Sequence, residues 1–300
     1  MRWFAHGNHG LAVCVLQTLV VDLKRCAGSI ASLCHSRPRY NIRVDSDHAE
    51  PRPRASLTKA IRRGFQAVYD NLGYVVFASF SAFVATSALF TGAVAVLRTA
   101  RPGMGGVILF VPAALGAWLV AAGVFYYANR SVYHEHPAAA DTWAGIKMLA
   151  WPALKLFVLD VAVMIVLLGD MVFFLAARGS RVFPILGVAC GYAALVWAMM
   201  VMYHLPLLPA QLGMESGPRP FVIVRKSMLL TIDNPGFTVG LFVVIITLAI
   251  ICAVPAFIGT AVFYLGAAAF VLTHALRELF VRYGIVEEEP DVIEDAGWPK

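Results

Sequence analysis

Long apolar runs without a single acidic or basic residue are the feature that most constrains this chain. Tyr74 to Leu97 and Met104 to Tyr127 are two such runs, and arginines flank both of them. A helix of about 20 apolar residues matches the hydrocarbon core of a bilayer, which is roughly 30 Å thick. We therefore predict that each run crosses a membrane as a helix.

Two further spans are predicted in the middle of the chain. Pro152 to Ala176 forms the third and Val182 to Tyr203 forms the fourth, with Pro206 and Pro209 expected to end the helix. The third span is unusual because it contains ionisable residues, namely Lys155, Asp160 and Asp170.

The last apolar block predicts two more spans. It runs from Phe237 to Ala275, and as one helix it would be about 58 Å long, roughly twice the thickness of a bilayer. Pro255 and Gly259 lie near its middle and favour a turn there. The predicted spans are Phe237 to about Phe257 and about Gly259 to Phe280, which makes six in all.

Composition agrees with a membrane protein and excludes several classes of function. Hydrophobic residues make up 60% of the chain and charged residues 14%, whereas soluble domains have about 25% charged residues. Soluble enzymes, disordered regulators and nucleic-acid-binding modules are therefore excluded. We predict an all-α polytopic transmembrane helical bundle, with short interfacial amphipathic helices and the lipid bilayer as its main partner.

The distribution of basic residues predicts the orientation of the bundle. The chain has 24 Lys and Arg residues and a net charge of +6. When the N-terminus is placed inside, the outer turns hold only Arg98, Arg101, Arg178 and Arg181. Basic residues favour the cytoplasmic side of a membrane. We therefore expect both termini in the cytoplasm, and the excess of positive charge indicates topology rather than a nucleic-acid partner.

The chain divides into three regions by composition. Residues 1–55 form an arm that is either disordered or a spurious extension, residues 56–283 form the six-helix transmembrane domain, and residues 284–300 form an acidic cytoplasmic tail. The cysteines of the arm do not have the spacing of a zinc site.

Three segments on the predicted inner side resemble interfacial helices. They are Ala60 to Asn71, Asp141 to Trp151 and Pro220 to Ile232, and each precedes a span by a few residues. Apolar residues at helical spacing on one side and cations on the other are typical of helices at the lipid surface. Such helices either anchor the bundle or provide a docking surface for a cytoplasmic partner, and we favour anchoring.

Asp160 is the candidate functional residue. An ionisable group within the hydrocarbon is costly and is a functional hypothesis by default. Asp160 can carry a proton or bind a substrate hydroxyl, or it can pair with Lys155 or another buried partner. Gly187 and Gly191 form a GxxxG pair, which lets a second helix approach closely. We expect these glycines to pack within the bundle rather than in a dimer.

No catalytic, metal-binding or cofactor-binding motif is recognised. His134, Glu135 and His136 do not have the spacing of a metalloprotease, and His274 with Glu278 lacks further ligands. We therefore predict no cofactor and no enzyme activity. An intramembrane enzyme would require at least two polar groups at one cavity, for which Asp160, His204 and His274 are the residues to compare.

Two stretches resemble a known family. YHLPLLPAQL, Tyr203 to Leu212, is followed by RKSMLLTIDNPGFTVGLFVVI, Arg225 to Ile245, and DTWAGIKMLAW precedes the third span. The order and the amino-acid sequences of these stretches resemble those of the YesL-like family of bacterial integral membrane proteins, a family named for a domain of unknown function. The resemblance covers about Ile61 to Tyr283. It implies a protein of the bacterial inner membrane without established catalytic activity, in a family suspected of accompanying carbohydrate uptake systems.

The functional prediction follows from the spans and the resemblance together. We expect an accessory or structural component of a transport system, with transporter subunits or a second copy of the chain as partners. The alternative is a small secondary transporter that uses Asp160 as its proton or substrate site.

Overall fold

A computed structural model describes residues 55–99, 105–133, 136–177, 182–212, 217–254 and 258–286. The predictions for the N-terminal arm up to residue 54 and for the acidic tail from residue 287 lie outside these residues. So do those for His134, Glu135 and the turn between Arg178 and Arg181.

The described residues form helices and no strands. A π-helical turn, Thr260–Tyr264, leads directly into the last helix. The α-helices are α1 (Leu57–Asp70), α2 (Leu72–Thr99), α3 (Gly105–Val132), α4 (Ala139–Ala176), α5 (Val182–Ala210), α6 (Pro220–Asp233), α7 (Pro235–Ala253) and α8 (Leu265–Arg282).

Six helices of the described residues are long and apolar enough to cross a membrane. They are α2, α3, α4, α5, α7 and α8 together with its π-helical turn, while α1 and α6 are shorter. Large apolar side chains such as Val188 and Ile251 point out of the bundle, as expected of surfaces in contact with lipid. The prediction of an all-α polytopic helical bundle is confirmed, and the protein is a multi-pass membrane protein.

Two helices are longer than predicted. The Asp141 to Trp151 segment is the start of α4 rather than a separate helix, since α4 has 38 residues and is about 57 Å long. Its length exceeds the bilayer, so part of it extends beyond the hydrocarbon. Pro152 lies inside α4, and Pro206 and Pro209 lie inside α5 instead of ending it. Proline is tolerated in transmembrane helices because neighbouring groups satisfy the freed backbone.

α1 packs against α8 with a surface of small residues. Ala60, Gly64 and Val68 are its buried residues, spaced so that they share one face. A Cβ atom at Gly64 would lie 2.9 Å from the Cα atom of Val271 in α8. α1 is therefore part of the packed bundle as well as strongly amphipathic.

Both ends of the described chain lie on one side of the bundle. Arg63 of α1 forms an ion pair of 3.4 Å with Glu278 near the end of α8. Arg130, at the end of α3, forms one of 2.9 Å with Asp141, at the start of α4. Residues near the ends of α3, α5 and α8, the second, fourth and sixth spans, line one cavity, so these three spans end on the same side, which we call the terminal side.

Candidate functional site

The α4–α5 hairpin sets the position of the candidate residue. A Cβ atom on Gly187 would lie 2.8 Å from Leu175, and one on Gly191 would lie 3.1 Å from Met171. Both glycines thus lie where α5 approaches α4 closely. Two antiparallel helices advance in opposite directions, so the same register brings Asp160 opposite the stretch that contains His204.

Asp160, His204 and Ser227 form a hydrogen-bonded chain across three helices. Asp160 Oδ2 lies 3.0 Å from His204 Nδ1, and His204 Nε2 lies 3.0 Å from Ser227 Oγ. The three residues are 7%, 0% and 0% exposed. Asp160 belongs to α4, His204 to α5 and Ser227 to α6, so the chain joins two spans to the shorter helix between the fourth and fifth spans.

The hydroxyl of Ser227 has two acceptors for its one proton. Its Oγ is 2.8 Å from the carbonyl oxygen of Val224 and 3.0 Å from Nε2 of His204. When Ser227 donates to His204, neutral His204 donates from Nδ1 to ionised Asp160. When Ser227 donates to Val224 instead, Nε2 must donate to Ser227, and one additional proton lies between His204 and Asp160. The two patterns differ by one proton and by a rotation of one hydroxyl.

Several buried polar atoms near this chain have no hydrogen-bond partner among the described residues. They are Oδ1 of Asp160 and the indole nitrogens of Trp118 and Trp197. The Trp197 ring meets the His204 ring edge to face at 6.0 Å, and the Trp118 ring lies 5.9 Å from the Phe157 ring, one turn before Asp160. Unsatisfied buried groups each cost about 1–3 kcal/mol and call for an explanation.

The structure separates Asp160 from Lys155, one of the partners considered from the sequence. The ammonium group of Lys155 lies over the Trp151 ring, 4.9 Å from its centroid, on the exposed side of α4. The partner of Asp160 is His204 instead. Ser227 was not recognised from the sequence, although it is a polar residue on the buried face of α6, between Ile223 and Leu230.

A second polar cluster holds the end of α6 next to the end of α8. The Asn234 amide donates to the Tyr283 hydroxyl at 2.8 Å, and that hydroxyl donates to Asp233 at 3.2 Å. Arg282 donates to the amide oxygen of Asn234. Burial raises the pKa of Tyr283 above its usual value, so this hydroxyl keeps the proton that it donates. The cluster therefore joins the break between α6 and α7 to the end of α8.

Metal binding has no support from the described residues. They contain no group of three or more His, Cys, Asp or Glu side chains placed to hold a metal ion. The arrangement of Asp160, His204 and Ser227 offers two hydrogen-bonding patterns that differ by one proton.

Comparisons with protein-family models, with curated proteins and with solved structures find no match to this chain. The resemblance to the YesL-like family therefore stays a prediction.

Proposed function

We propose that this protein is a proton-coupled membrane transport protein rather than an enzyme, and that Asp160 and His204 bind the transported proton. The supporting observation is the buried chain Asp160–His204–Ser227, whose two hydrogen-bonding patterns differ by one proton. Ionisable residues within transmembrane segments mark proton relays and substrate pathways. Histidine is the side chain whose charge changes most readily near neutral pH.

The hydrogen-bonded chain Asp160–His204–Ser227 also explains how proton binding would change contacts elsewhere in the protein. Protonation turns the Ser227 hydroxyl from His204 to the carbonyl of Val224, so a change at α4 and α5 reaches α6. A conformational response requires such a difference in contacts between the two states. In this proposal the protein lies in the bacterial inner membrane, and its terminal side faces the cytoplasm.

Flux measurements on the purified protein test the proposal. The protein is placed in liposomes that contain a pH-sensitive dye, and a panel of sugars is added outside under a membrane potential. We expect a sugar-dependent proton flux that Asp160→Asn and His204→Asn abolish. Asp170→Asn is the matched control, because Asp170 belongs to the same helix but does not take part in the hydrogen bonds between Asp160, His204 and Ser227.

The outcomes of this experiment separate the transporter from the accessory component. Sugar-dependent proton flux through the purified protein alone supports a transporter. Flux that appears only when further subunits are present supports an accessory role. If Asp160→Asn folds and keeps the full flux, the proposed proton site is wrong.

The same three side chains also stand in the order of a Ser–His–Asp catalytic set, which favours a hydrolase as the second candidate. Full burial of Ser227 argues against it, because a substrate carbonyl must reach the hydroxyl. A fluorophosphonate probe, which reacts with activated serines, decides between the two. Labelling of the wild-type protein that Ser227→Ala removes would favour the hydrolase over transport.

A further inference from the structure

A cavity of about 510 Å³ opens on the terminal side of the bundle. Its walls come from the ends of α3 and α5, from α6 and from the end of α8 with the residues that follow. This volume is within the range of small-molecule sites, about 300–1,000 Å³. Its lining includes Tyr133, Leu207, Lys226, Leu230, Phe280 and Tyr283.

The cavity walls combine apolar surface with two opposite charges. Leu207, Leu230 and Phe280 contribute apolar surface, whereas Lys226 and Asp233 contribute the charges. The two charged residues are seven positions apart on α6, or about 10.5 Å along its axis. The Asp233 carboxylate already accepts the hydroxyl of Tyr283. A ligand anion that approaches Lys226 therefore need not approach Asp233.

We infer that this cavity binds an amphipathic anion, a molecule with a hydrocarbon chain and one anionic headgroup, which places its headgroup at Lys226. The apolar walls would cover part of the hydrocarbon chain, and the ammonium group would form a charge-assisted hydrogen bond with the headgroup. Because three spans end at this cavity, it lies where headgroups meet hydrocarbon. The ligand would come either from the membrane, as an anionic phospholipid, or from water, as a fatty acid.

The cavity and the buried Asp160–His204–Ser227 chain share two helices. Lys226 directly precedes Ser227, and Leu207 lies one turn beyond His204. Burial lowers the pKa of Lys226, and an anion beside this residue would favour its charged form. The binding site itself stands on the cavity and does not depend on proton transport.

Photolabelling of the full chain in nanodiscs tests the inference. Two diazirine probes represent the two sources: a palmitate analogue added from water, and a phosphatidylglycerol analogue incorporated in the bilayer. We expect at least one probe to label residues 207–210, 229–230 or 280–286. Lys226→Gln should reduce this labelling about tenfold, the effect of about 1.4 kcal/mol. Arg225→Gln is the matched control, because Arg225 is the neighbouring cation and does not line the cavity.

Each outcome supports or contradicts the inference. Labelling by the palmitate analogue assigns the ligand to water, and labelling by the phosphatidylglycerol analogue assigns it to the membrane. Leu229→Trp fills the cavity from an exposed position, so it should block labelling without destabilising the folded protein. The inference is overturned if the matching alcohol or diacylglycerol probe labels these segments equally well. It is also overturned if Leu229→Trp leaves labelling unchanged, or if Lys226→Gln behaves as Arg225→Gln does.

Discussion

The coupling energy between Asp160 and His204 is the sharpest test of the buried chain. Asp160→Asn keeps the size of the side chain and removes its charge, and His204→Phe keeps a ring and removes both nitrogens. Each variant breaks the contact of 3.0 Å between Oδ2 and Nδ1 in its present form. The double variant leaves neither original partner behind, so a double-mutant cycle isolates the interaction.

The structure sets the expected size of this coupling energy. Hydrogen bonds between transmembrane side chains contribute about 0.6 kcal/mol on average and up to about 1.7 kcal/mol in double-mutant cycles. The contact between Asp160 and His204 is buried, and in the pattern with an ionised Asp160 it is a hydrogen bond to a charged group, a class that contributes about 1.5–3 kcal/mol. We therefore expect a coupling energy of about 1.5–3 kcal/mol. The double variant should be more stable than the sum of the single effects predicts.

Reversible unfolding in mixed micelles, followed by circular dichroism, gives the four free energies of the cycle. A control cycle combines Asp170→Asn with His204→Phe, and it should be additive within about 0.5 kcal/mol because these residues are distant. A coupling energy of about 0.6 kcal/mol or less between Asp160 and His204 would equal an ordinary transmembrane hydrogen bond. That result would refute the argument that an enclosed, proton-sharing pair exists here.

Further predictions concern packing, titration and topology. Gly64→Val should destabilise the bundle by about 1–3 kcal/mol and lower its melting temperature, because the added Cβ meets the backbone of α8 at 2.9 Å. Gly73→Ala is the control: its Cβ has nothing within 4 Å, so this variant should not lower the melting temperature. Burial lowers the pKa of Lys226 below 10.5 in the folded state, so the unfolded state binds more protons between the two values. The wild-type protein should therefore gain stability relative to Lys226→Met as the pH rises towards 10.5, and a constant difference in melting temperature would contradict this. Topology is tested by single cysteines in a background without native cysteines. Ala138→Cys on the terminal side should react with an impermeant maleimide only from the cytoplasm, and Val182→Cys should react only from outside. The reverse pattern would show that the predicted topology is inverted.

The spans were predictable because their signal is local. A charge-free run long enough to cross a bilayer needs no knowledge of the rest of the chain, and the helices occur where such runs lie. Helix ends were less predictable. The local preference of proline predicts boundaries at Pro152, Pro206 and Pro209, but neighbouring helices bury the region around them and allow the helices to continue.

The candidate site was predictable only in part, because it depends on contacts between distant parts of the chain. Asp160 was recognised from the cost of placing a carboxylate in a span. His204 and Ser227 lie 44 residues and 67 residues further along, and nothing in their local sequence connects them to Asp160. The register of α4 and α5 is fixed by close packing at Gly187 and Gly191, which the sequence suggested without naming the partner helix.

α6 connects the two proposed sites because adjacent residues of a helix point in directions about 100° apart. Ser227 can therefore face His204 inside the bundle while Lys226 faces the cavity. In the proposed proton site, hydrogen bonding at Ser227 changes when the proton binds, and in the proposed anion site the headgroup contacts Lys226. We expect a small rotation of α6 to alter both contacts together, so proton binding and anion binding should influence each other's affinity to the same degree.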